Sequence, residues 1–134
     1  MNKKLLALSL VLAFVLASCG GSGPSTNIDV TFAEFTFTPN AFTIPAGQEI
    51  TIHAVNNGAV IHEFVIMKLG EAVGENFGDE DEGNIYWEVE VDPGQETTVT
   101  FTAPSDAGEY QIVCGTEGHY TAGMVGTLTV VAGE

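Results

Sequence analysis

Residues 109–131 read EYQIVCGTEGHYTAGMVGTLTVV, two runs of alternating apolar and polar residues joined by one loop. Such alternation is typical of β-strands with one buried face. Six further runs of this kind precede the stretch, and no helical periodicity of useful length is present. The chain is therefore predicted to be all-β, an antiparallel β-sandwich of about eight strands. The predicted strands are 28–37, 40–44, 48–55, 62–69, 85–91, 97–103, 109–114 and 124–131.

The loop in this stretch places a thiol, an imidazole and a thioether at equal intervals, as Cys114, His119 and Met124. We expect Cys114 at a strand end, and a loop of this length can curl so that the three side chains face one centre. Three glycines would relieve the backbone strain of such a curl. They are Gly115, Gly118 and Gly123.

Length and charge limit the classes of function. The 134 residues suffice for one domain with a core, but not comfortably for two. There are 18 acidic and 3 basic residues, which gives a formal charge of −15, and Lys3 and Lys4 lie at the extreme N-terminus. A domain with this much negative charge is repelled by nucleic acid and by anionic lipid, and it is attracted to a basic protein. Acidity that only maintains solubility is the alternative.

The N-terminus has the layout of a secretory signal: a short basic start, an apolar run and small residues before Cys19. Leu16 to Cys19 resembles the bacterial lipobox, which implies lipidation of Cys19; an ordinary cleaved signal is the alternative. We predict a lipoprotein signal peptide at 1–18, a flexible tether at 19–27 and one domain at 28–134. The protein would then be exported and lipid-anchored to a bacterial membrane.

Cys114 would have no disulfide partner if Cys19 carries lipid. It would then be a buried small hydrophobe or a reactive or metal-binding thiolate. Thiolate, thioether and imidazole together suit copper that alternates between Cu(I) and Cu(II). Such a site needs a second imidazole from another strand, and His62 qualifies because it opens a predicted strand.

Residues 28–132 resemble the cupredoxins, the type 1 blue copper proteins, in their auracyanin-, plastocyanin- and azurin-like forms. The matching features are the VNNG segment before His62, Tyr110 four residues before Cys114, the Cys-x4-His-x4-Met spacing and the ending AGMVGTLTV. The resemblance implies a Greek-key β-sandwich and one type 1 copper ion. It also implies the ligands: Cys114 for the short copper–sulfur bond, His62 and His119 for the equatorial nitrogens, and Met124 for the long axial contact.

Two positions depart from many plastocyanins and azurins. Those proteins have Asn after the first histidine and a hydroxyl residue after the cysteine, and the two side chains tie the ligand loops together. This chain has Glu63 and Gly115 there. Either another pair ties the loops, for which Glu63 with Thr116 is the candidate, or the site is looser than in those relatives, because contacts behind metal ligands set the rigidity of a site.

The resemblance implies a membrane-anchored carrier of single electrons and not an enzyme. After His62 and His119 are assigned, only His53 remains for any further metal centre. Two alternatives stay open: a copper-delivery or storage lipoprotein with the same ligands, and a metal-free adhesive β-sandwich.

The expected partners are redox proteins such as basic cytochromes. An apolar exit for the electron is expected around His119, with Tyr120, Ala122 and Val60. The acidic segment, residues 71–84, is predicted to be a long surface excursion with a helical turn at its start. Its carboxylates would steer a basic partner toward the domain. They are Glu71, Glu75, Asp79, Glu80, Asp81 and Glu82.

Strand periodicity assigns the remaining candidates to structural positions. His53 is expected to face solvent, and Met67 to lie in the core with Val65. Tyr86 and Trp87 point to opposite faces, so one is expected to pack and the other to be exposed.

Overall fold

The computed structural model describes residues 23–133, so the predicted signal peptide and Cys19 lie outside the described residues. Within this range the chain forms nine strands and one short 3-10 helix, Glu82–Asn84. No helix in it is long and apolar enough to cross a bilayer. The strands are β1 Asn27–Ala33, β2 Thr36–Thr38, β3 Ala41–Pro45, β4 Glu49–Asn56, β5 His62–Met67, β6 Ile85–Val91, β7 Glu96–Thr102, β8 Gly108–Val113 and β9 Val125–Val131.

Two sheets share these strands, in the orders β2-β1-β4-β7 and β3-β9-β8-β5-β6. The chain passes from one sheet to the other at most connections, so each sheet contains strands that are distant in sequence. The predicted β-sandwich is confirmed. The prediction of purely antiparallel pairing is wrong for two pairs, because β1 runs parallel to β4 and β3 runs parallel to β9.

The first predicted strand, 28–37, is in fact two strands. A turn at Glu34 and Phe35 separates β1 from β2, and the two strands pair antiparallel, with Ala33 opposite Thr36. This accounts for nine strands in place of about eight. The turn lies at the same end of the sandwich as the loop of residues 114–124, because Phe35 contacts His119.

The N-terminal boundary lies slightly before the expected one. Strand β1 begins at Asn27, and the two residues before it already bond to the sheets. The Ser25 amide donates to the Thr43 carbonyl, and the Thr51 amide donates to the Thr26 carbonyl. Part of the segment predicted as a tether therefore belongs to the folded domain.

Inward-facing side chains of both sheets form one main core. An aromatic cluster fills its end nearest His62: the ring of Phe64 lies 5.2 Å from that of Phe37, 5.8 Å from that of Phe42 and 6.2 Å from that of Phe32. The Phe32 ring in turn packs 6.3 Å from the His62 ring. Close-packed aromatic rings have few alternative arrangements, so they fix the position of the imidazole at this end of β5.

A second, smaller core lies on the other side of β5. The apolar run from Phe64 to Met67 is buried on both faces, as in a strand that is covered on both sides. Val73 packs with Val65, Met67 and Val113 over the outer face. The acidic segment is irregular as predicted, but its helical turn, Glu82–Asn84, comes at its end. Near its start, the Val73 amide donates to Gln111 Oε1 of β8 at 2.8 Å.

The structural assignments made from strand periodicity are confirmed. Met67 is fully buried. Trp87 stacks on Phe101 with ring centroids 4.5 Å apart, while Tyr86 on the opposite face is exposed. His53 lies on an outer face, where its ring nitrogens contact carboxylate oxygens of Asp29 at 3.2 Å and Glu96 at 3.4 Å.

Candidate metal centre

Three elements bring the predicted donor residues together at one end of the sandwich. His62 is the first residue of β5, and Cys114 directly follows β8. These strands are neighbours, with Val65 paired to Val113, so the start of β5 and the end of β8 meet. His119 lies on the loop that leads to β9. The expected position of Cys114 at a strand end is confirmed.

The three donor atoms lie within bonding range of one common point. The Nδ1 atoms of His62 and His119 are 3.1 Å apart, and Cys114 Sγ lies 3.4 Å from His119 Nδ1 and 3.8 Å from His62 Nδ1. The point equidistant from all three is about 2.0 Å from each, close to the bond lengths of about 2.0 Å to nitrogen and 2.3 Å to sulfur for a first-row metal ion. The residues present therefore fit a trigonal two-nitrogen, one-sulfur metal site.

Met124 closes the loop that holds two of these donors. Its carbonyl accepts a bond from the Cys114 amide at 3.1 Å, and its amide donates to the His119 carbonyl at 3.0 Å. The side chain is fully buried in the same core as Cys114. Gly118 and Gly123 adopt φ angles of 80° and 99°, so these two glycines supply the left-handed turns that the loop requires.

Burial keeps the donors neutral in the absence of a metal. Loss of hydration lowers the pKa of His62, an effect reinforced by His119, and it also lowers the pKa of His119. The same cause raises the pKa of the Cys114 thiol, although the amide of Glu63 partly opposes it. The imidazoles are thus ready to bind a cation, whereas the thiol must release a proton as the metal–sulfur bond forms.

The two ligand loops are tied together, but not by the expected pair. The Thr116 hydroxyl donates to the Ile61 carbonyl at 3.1 Å, and the Glu63 amide donates to Cys114 Sγ at 3.4 Å. The Glu63 carboxyl does not bond to Thr116, so that prediction is wrong. The Glu63 carboxyl instead occupies the space that a Cβ atom on residue 115 would need, which explains why residue 115 is a glycine.

The Glu63 carboxyl is itself unusual. Burial raises its pKa from the ordinary 4.5 to about 7, and the facing Glu90 across the β5–β6 pair adds to the shift through a hydrogen bond and repulsion. The Glu63 carboxyl therefore takes up a proton at a higher pH than an ordinary carboxyl does.

The back of His62 faces a polar network that sequence reasoning missed. Glu34 Oε1 lies 3.5 Å from His62 Nε2 and accepts the amides of Ala59 at 2.7 Å and Val60 at 3.2 Å. These amide bonds, that of Ala59 foremost, lower the pKa of the Glu34 carboxyl. The β1–β2 turn thus supplies a negative charge to the loop that leads into the site.

Asn56 braces the same loop from inside. Its Nδ2 donates to the carbonyls of Val60 and Val91 at 2.9 and 2.8 Å, and its Oδ1 accepts the Gly58 amide at 2.8 Å. The side chain is fully buried. The VNNG segment was a sequence signal for this loop, but nothing in it distinguished the bracing role of Asn56 from an ordinary turn.

Three apolar residues lie near the site, and we call them the apolar patch: Phe35, Val60 and Ile61. All three are exposed, at 41%, 42% and 38%. The Phe35 ring packs edge-on against the His119 ring with centroids 5.0 Å apart. His119 is 8% exposed, so little of its ring reaches the surface, and the expected exit at this histidine stays a prediction.

The other predicted docking residues are only partly available. Ala122 is exposed, whereas Tyr120 is half-buried and donates its hydroxyl to the Val73 carbonyl at 3.1 Å. Asp81 is a correction, because it is buried and its carboxylate accepts the Gly78 amide at 3.0 Å. The remaining five predicted carboxylates of the acidic segment are exposed: Glu71, Glu75, Asp79, Glu80 and Glu82.

Comparison with known proteins agrees with this geometry. The family described as Cupredoxin-like domain matches residues 6–130. Auracyanin-A of Chloroflexus aurantiacus is 36% identical over 154 residues, which cover 93% of this chain and 94% of that protein.

Two solved structures are similar over most of the domain. Reduced auracyanin from the photosynthetic bacterium Roseiflexus castenholzii gives a TM-score of 0.68 at 34% identity and covers 81% of this chain and 99% of that one. Auracyanin A of Chloroflexus aurantiacus, described as a "blue" copper protein, gives 0.65 at 34% identity and covers 81% and 100%. The fold, the donor set and these relatives lead to one conclusion: the chain belongs to the cupredoxin family.

Proposed function

We propose that this protein carries single electrons through one type 1 copper ion, and that it is not an enzyme. The observation that supports this most strongly is the convergence of His62, Cys114 and His119, all buried, with their donor atoms within 4.8 Å of one another. A bound copper ion supplies the change between Cu(I) and Cu(II). The relatives described as auracyanins, one of them as a blue copper protein, are consistent with it.

The ligand roles follow from the donor chemistry. His62 and His119 would bind through Nδ1, Cys114 through its thiolate, and Met124 through its thioether. Such a set suits both oxidation states of copper, because thiolate and thioether favour Cu(I) and imidazole accommodates both. Strand pairing, the loop hydrogen bonds and the aromatic cluster hold the donors in place, so little rearrangement accompanies electron transfer.

The protein environment also controls access to the donors. His62 and Cys114 are fully buried, and the Phe35 ring shields most of His119. An electron would therefore enter or leave through His119 and the apolar patch, whereas water and small oxidants are kept from the thiolate. A shallow apolar surface of this kind suits brief contact with a redox partner.

The charge of the domain favours a basic partner. Lys68 is the one Lys or Arg among the described residues, and its Nζ donates to the Gly83 carbonyl at 2.6 Å. The exposed carboxylates of the acidic segment would raise the rate of encounter with a basic cytochrome without tight binding. The rate of reduction by such a cytochrome should fall steeply with added salt. A rate that does not depend on ionic strength would remove the steering proposal and leave the copper proposal intact.

Localisation and anchoring rest on the sequence of residues 1–19. We propose export, cleavage before Cys19 and lipidation of that residue, with the membrane reached through the lipid alone. Mass spectrometry of the mature protein, isolated from membranes, should find an acylated N-terminal Cys19. The variant Cys19→Ser should lose the acyl mass and appear in the soluble fraction; acylation elsewhere would refute the assignment.

The copper proposal is tested by titrating the metal-free domain with Cu(II). We expect an intense visible thiolate-to-copper absorption that saturates at one equivalent and is absent in Cys114→Ser. A metal-free β-sandwich would show no such band in either protein. A delivery or storage protein would form the band but would lose copper to a mild chelator during repeated redox cycles, which an electron carrier would survive.

A further inference from the structure

One buried polar atom of the site has no hydrogen bond. Among residues 23–133, only one buried side-chain nitrogen or oxygen lacks a hydrogen-bond partner, and it is His62 Nε2. The polar group facing it is Glu34 Oε1 at 3.5 Å. A buried polar atom is costly to leave unpaired, so the nearby carboxylate calls for an explanation.

The carboxylate is held in place by backbone groups and not by chance packing. The amides of Ala59 and Val60 both donate to the same Oε1 atom. The backbone of Gly58 approaches the pair so closely that a Cβ there would lie 2.6 Å from Glu34 Oε1 and 2.7 Å from His62 Nε2. The 56–61 loop therefore clamps the carboxylate against the imidazole and leaves no room for a side chain between them.

We propose that Glu34 is a positioning residue for the copper site, which orients His62 through Nε2–H and favours Cu(II) over Cu(I) through its negative charge. This inference rests on the proposed binding of copper by His62. It concerns a residue outside the four ligands, contributed by the turn between β1 and β2.

The tautomer of His62 makes the contact chemically specific. A neutral imidazole that offers Nδ1 to a metal carries its proton on Nε2, the atom that faces Glu34. Histidine ligands commonly donate this second ring N–H to a carboxylate, a carbonyl or water, which fixes the orientation of the ring. A carboxylate affects the site more strongly than a neutral acceptor would. Its negative charge stabilises the positive charge that the site gains when copper is oxidised.

The test uses Glu34→Gln, which keeps an oxygen to accept the two amides but removes the charge. The matched control is Glu117→Gln, which removes one charge from an exposed carboxylate on the ligand loop. The ratio of Cu(II) to Cu(I) affinity should fall about tenfold in Glu34→Gln, which corresponds to a reduction potential about 59 mV higher. In Glu117→Gln, the change in the logarithm of this affinity ratio should be less than a third of the change in Glu34→Gln.

A second measurement needs no metal. In the metal-free protein, NMR of the His62 side chain should show Nε2–H exchanging with water several-fold faster in Glu34→Gln than in the wild type. Glu34→Asp, which keeps the charge, should restore the potential at least in part. Equal potentials in Glu34→Gln and Glu117→Gln would overturn the proposal, as would unchanged Nε2–H exchange. If even the wild type formed no blue site, the copper function itself would fail, and the exchange data would still decide whether Glu34 orients His62.

Discussion

The two imidazoles of the site have opposite surroundings. His62 opens a central strand, is fully buried, and has an aromatic cluster and a carboxylate around it. His119 lies on a loop, retains a small exposed area, and has the Phe35 ring packed edge-on against it. From this difference we expect a division of roles, in which the His62 side sets the properties of the site and the His119 side exchanges electrons with partners.

Both surroundings depend on one short turn. Glu34 and Phe35 are consecutive residues between β1 and β2, yet one faces His62 and the other covers His119. A single connection in the four-stranded sheet thus completes a site whose donors all belong to the five-stranded sheet and its loops. Substitutions on either side of the site can therefore test the two sets of surroundings separately.

The largest effect is expected from removing each imidazole. His62→Gly and His119→Gly should both abolish the blue absorption. Added imidazole should restore it in His119→Gly, because the vacated space reaches the surface beside Phe35, and should not in His62→Gly, whose space is sealed by the core. Visible spectra of the copper-loaded variants, with and without imidazole, provide the measurement. Equal recovery in both variants would mean that the two sides do not differ in access.

The free energy of unfolding should depend more on the residues around His62 than on those around His119. Phe64→Ala empties a fully buried position in the aromatic cluster behind His62, and such truncations cost about 3–5 kcal/mol. Phe35→Ala removes a ring that is 41% exposed and should cost about 1 kcal/mol or less. Urea unfolding of the metal-free proteins gives both free energies. Similar losses would show that Phe35 contributes to the core as much as Phe64 does.

The strand that carries His62 should also show a pH-dependent stability through Glu63. The pKa of this carboxyl is about 7 in the folded protein and 4.5 ordinarily, so folding takes up a proton between these values. The contribution of the Glu63 carboxyl to the free energy of unfolding is fully present below pH 4.5, and it is lost as the pH rises through 7.

Glu63→Gln stays neutral and should therefore be more stable than the wild type at about pH 8.5, by about 1–2 kcal/mol once solvent screening of this half-buried group is allowed for. Near pH 4.5 the two metal-free proteins should unfold at similar urea concentrations. The exposed Glu117→Gln is the control. A benefit that does not change with pH would contradict the raised pKa.

The smallest effect is expected at the front of the site. Phe35→Ala should expose more of His119, so a small anionic oxidant should react a few-fold faster with the Cu(I) protein while the reduction potential changes little. Phe35→Leu keeps an apolar cover and should react at nearly the wild-type rate. Stopped-flow kinetics and voltammetry separate the two quantities. A potential that moved as far as that of Glu34→Gln would mean that Phe35 acts on the metal and not on access.

The donors were predictable because their spacing is local. Cys114, His119 and Met124 lie on one loop, and the order of strands brings His62 to the same end. The alternation of apolar residues likewise located most strands and the positions of Met67 and Trp87. Short-range patterns of this kind follow from the two-residue period of a strand and from the few residues that favour turns.

The surroundings of the donors were not predictable, because they depend on pairings between distant segments. Glu34 and Phe35 sit within a continuous alternating run, and only the parallel pairing of β1 with β4 brings them to the metal end. Asp81 looks like any other carboxylate of the acidic segment until the chain folds back and its side chain bonds to the Gly78 amide. The tie through Thr116 was assigned to a side chain although a backbone carbonyl accepts it.

The outer strand of the five-stranded sheet has a consequence for crowded copies of the protein. Within residues 23–133, strand β6 has no neighbour on one side, and its exposed face presents Glu88 and Glu90. An unpaired strand is a potential template for joining another chain, and like charges along it oppose such joining. Crowded copies of the domain are thus expected to repel each other at this edge and to remain separate.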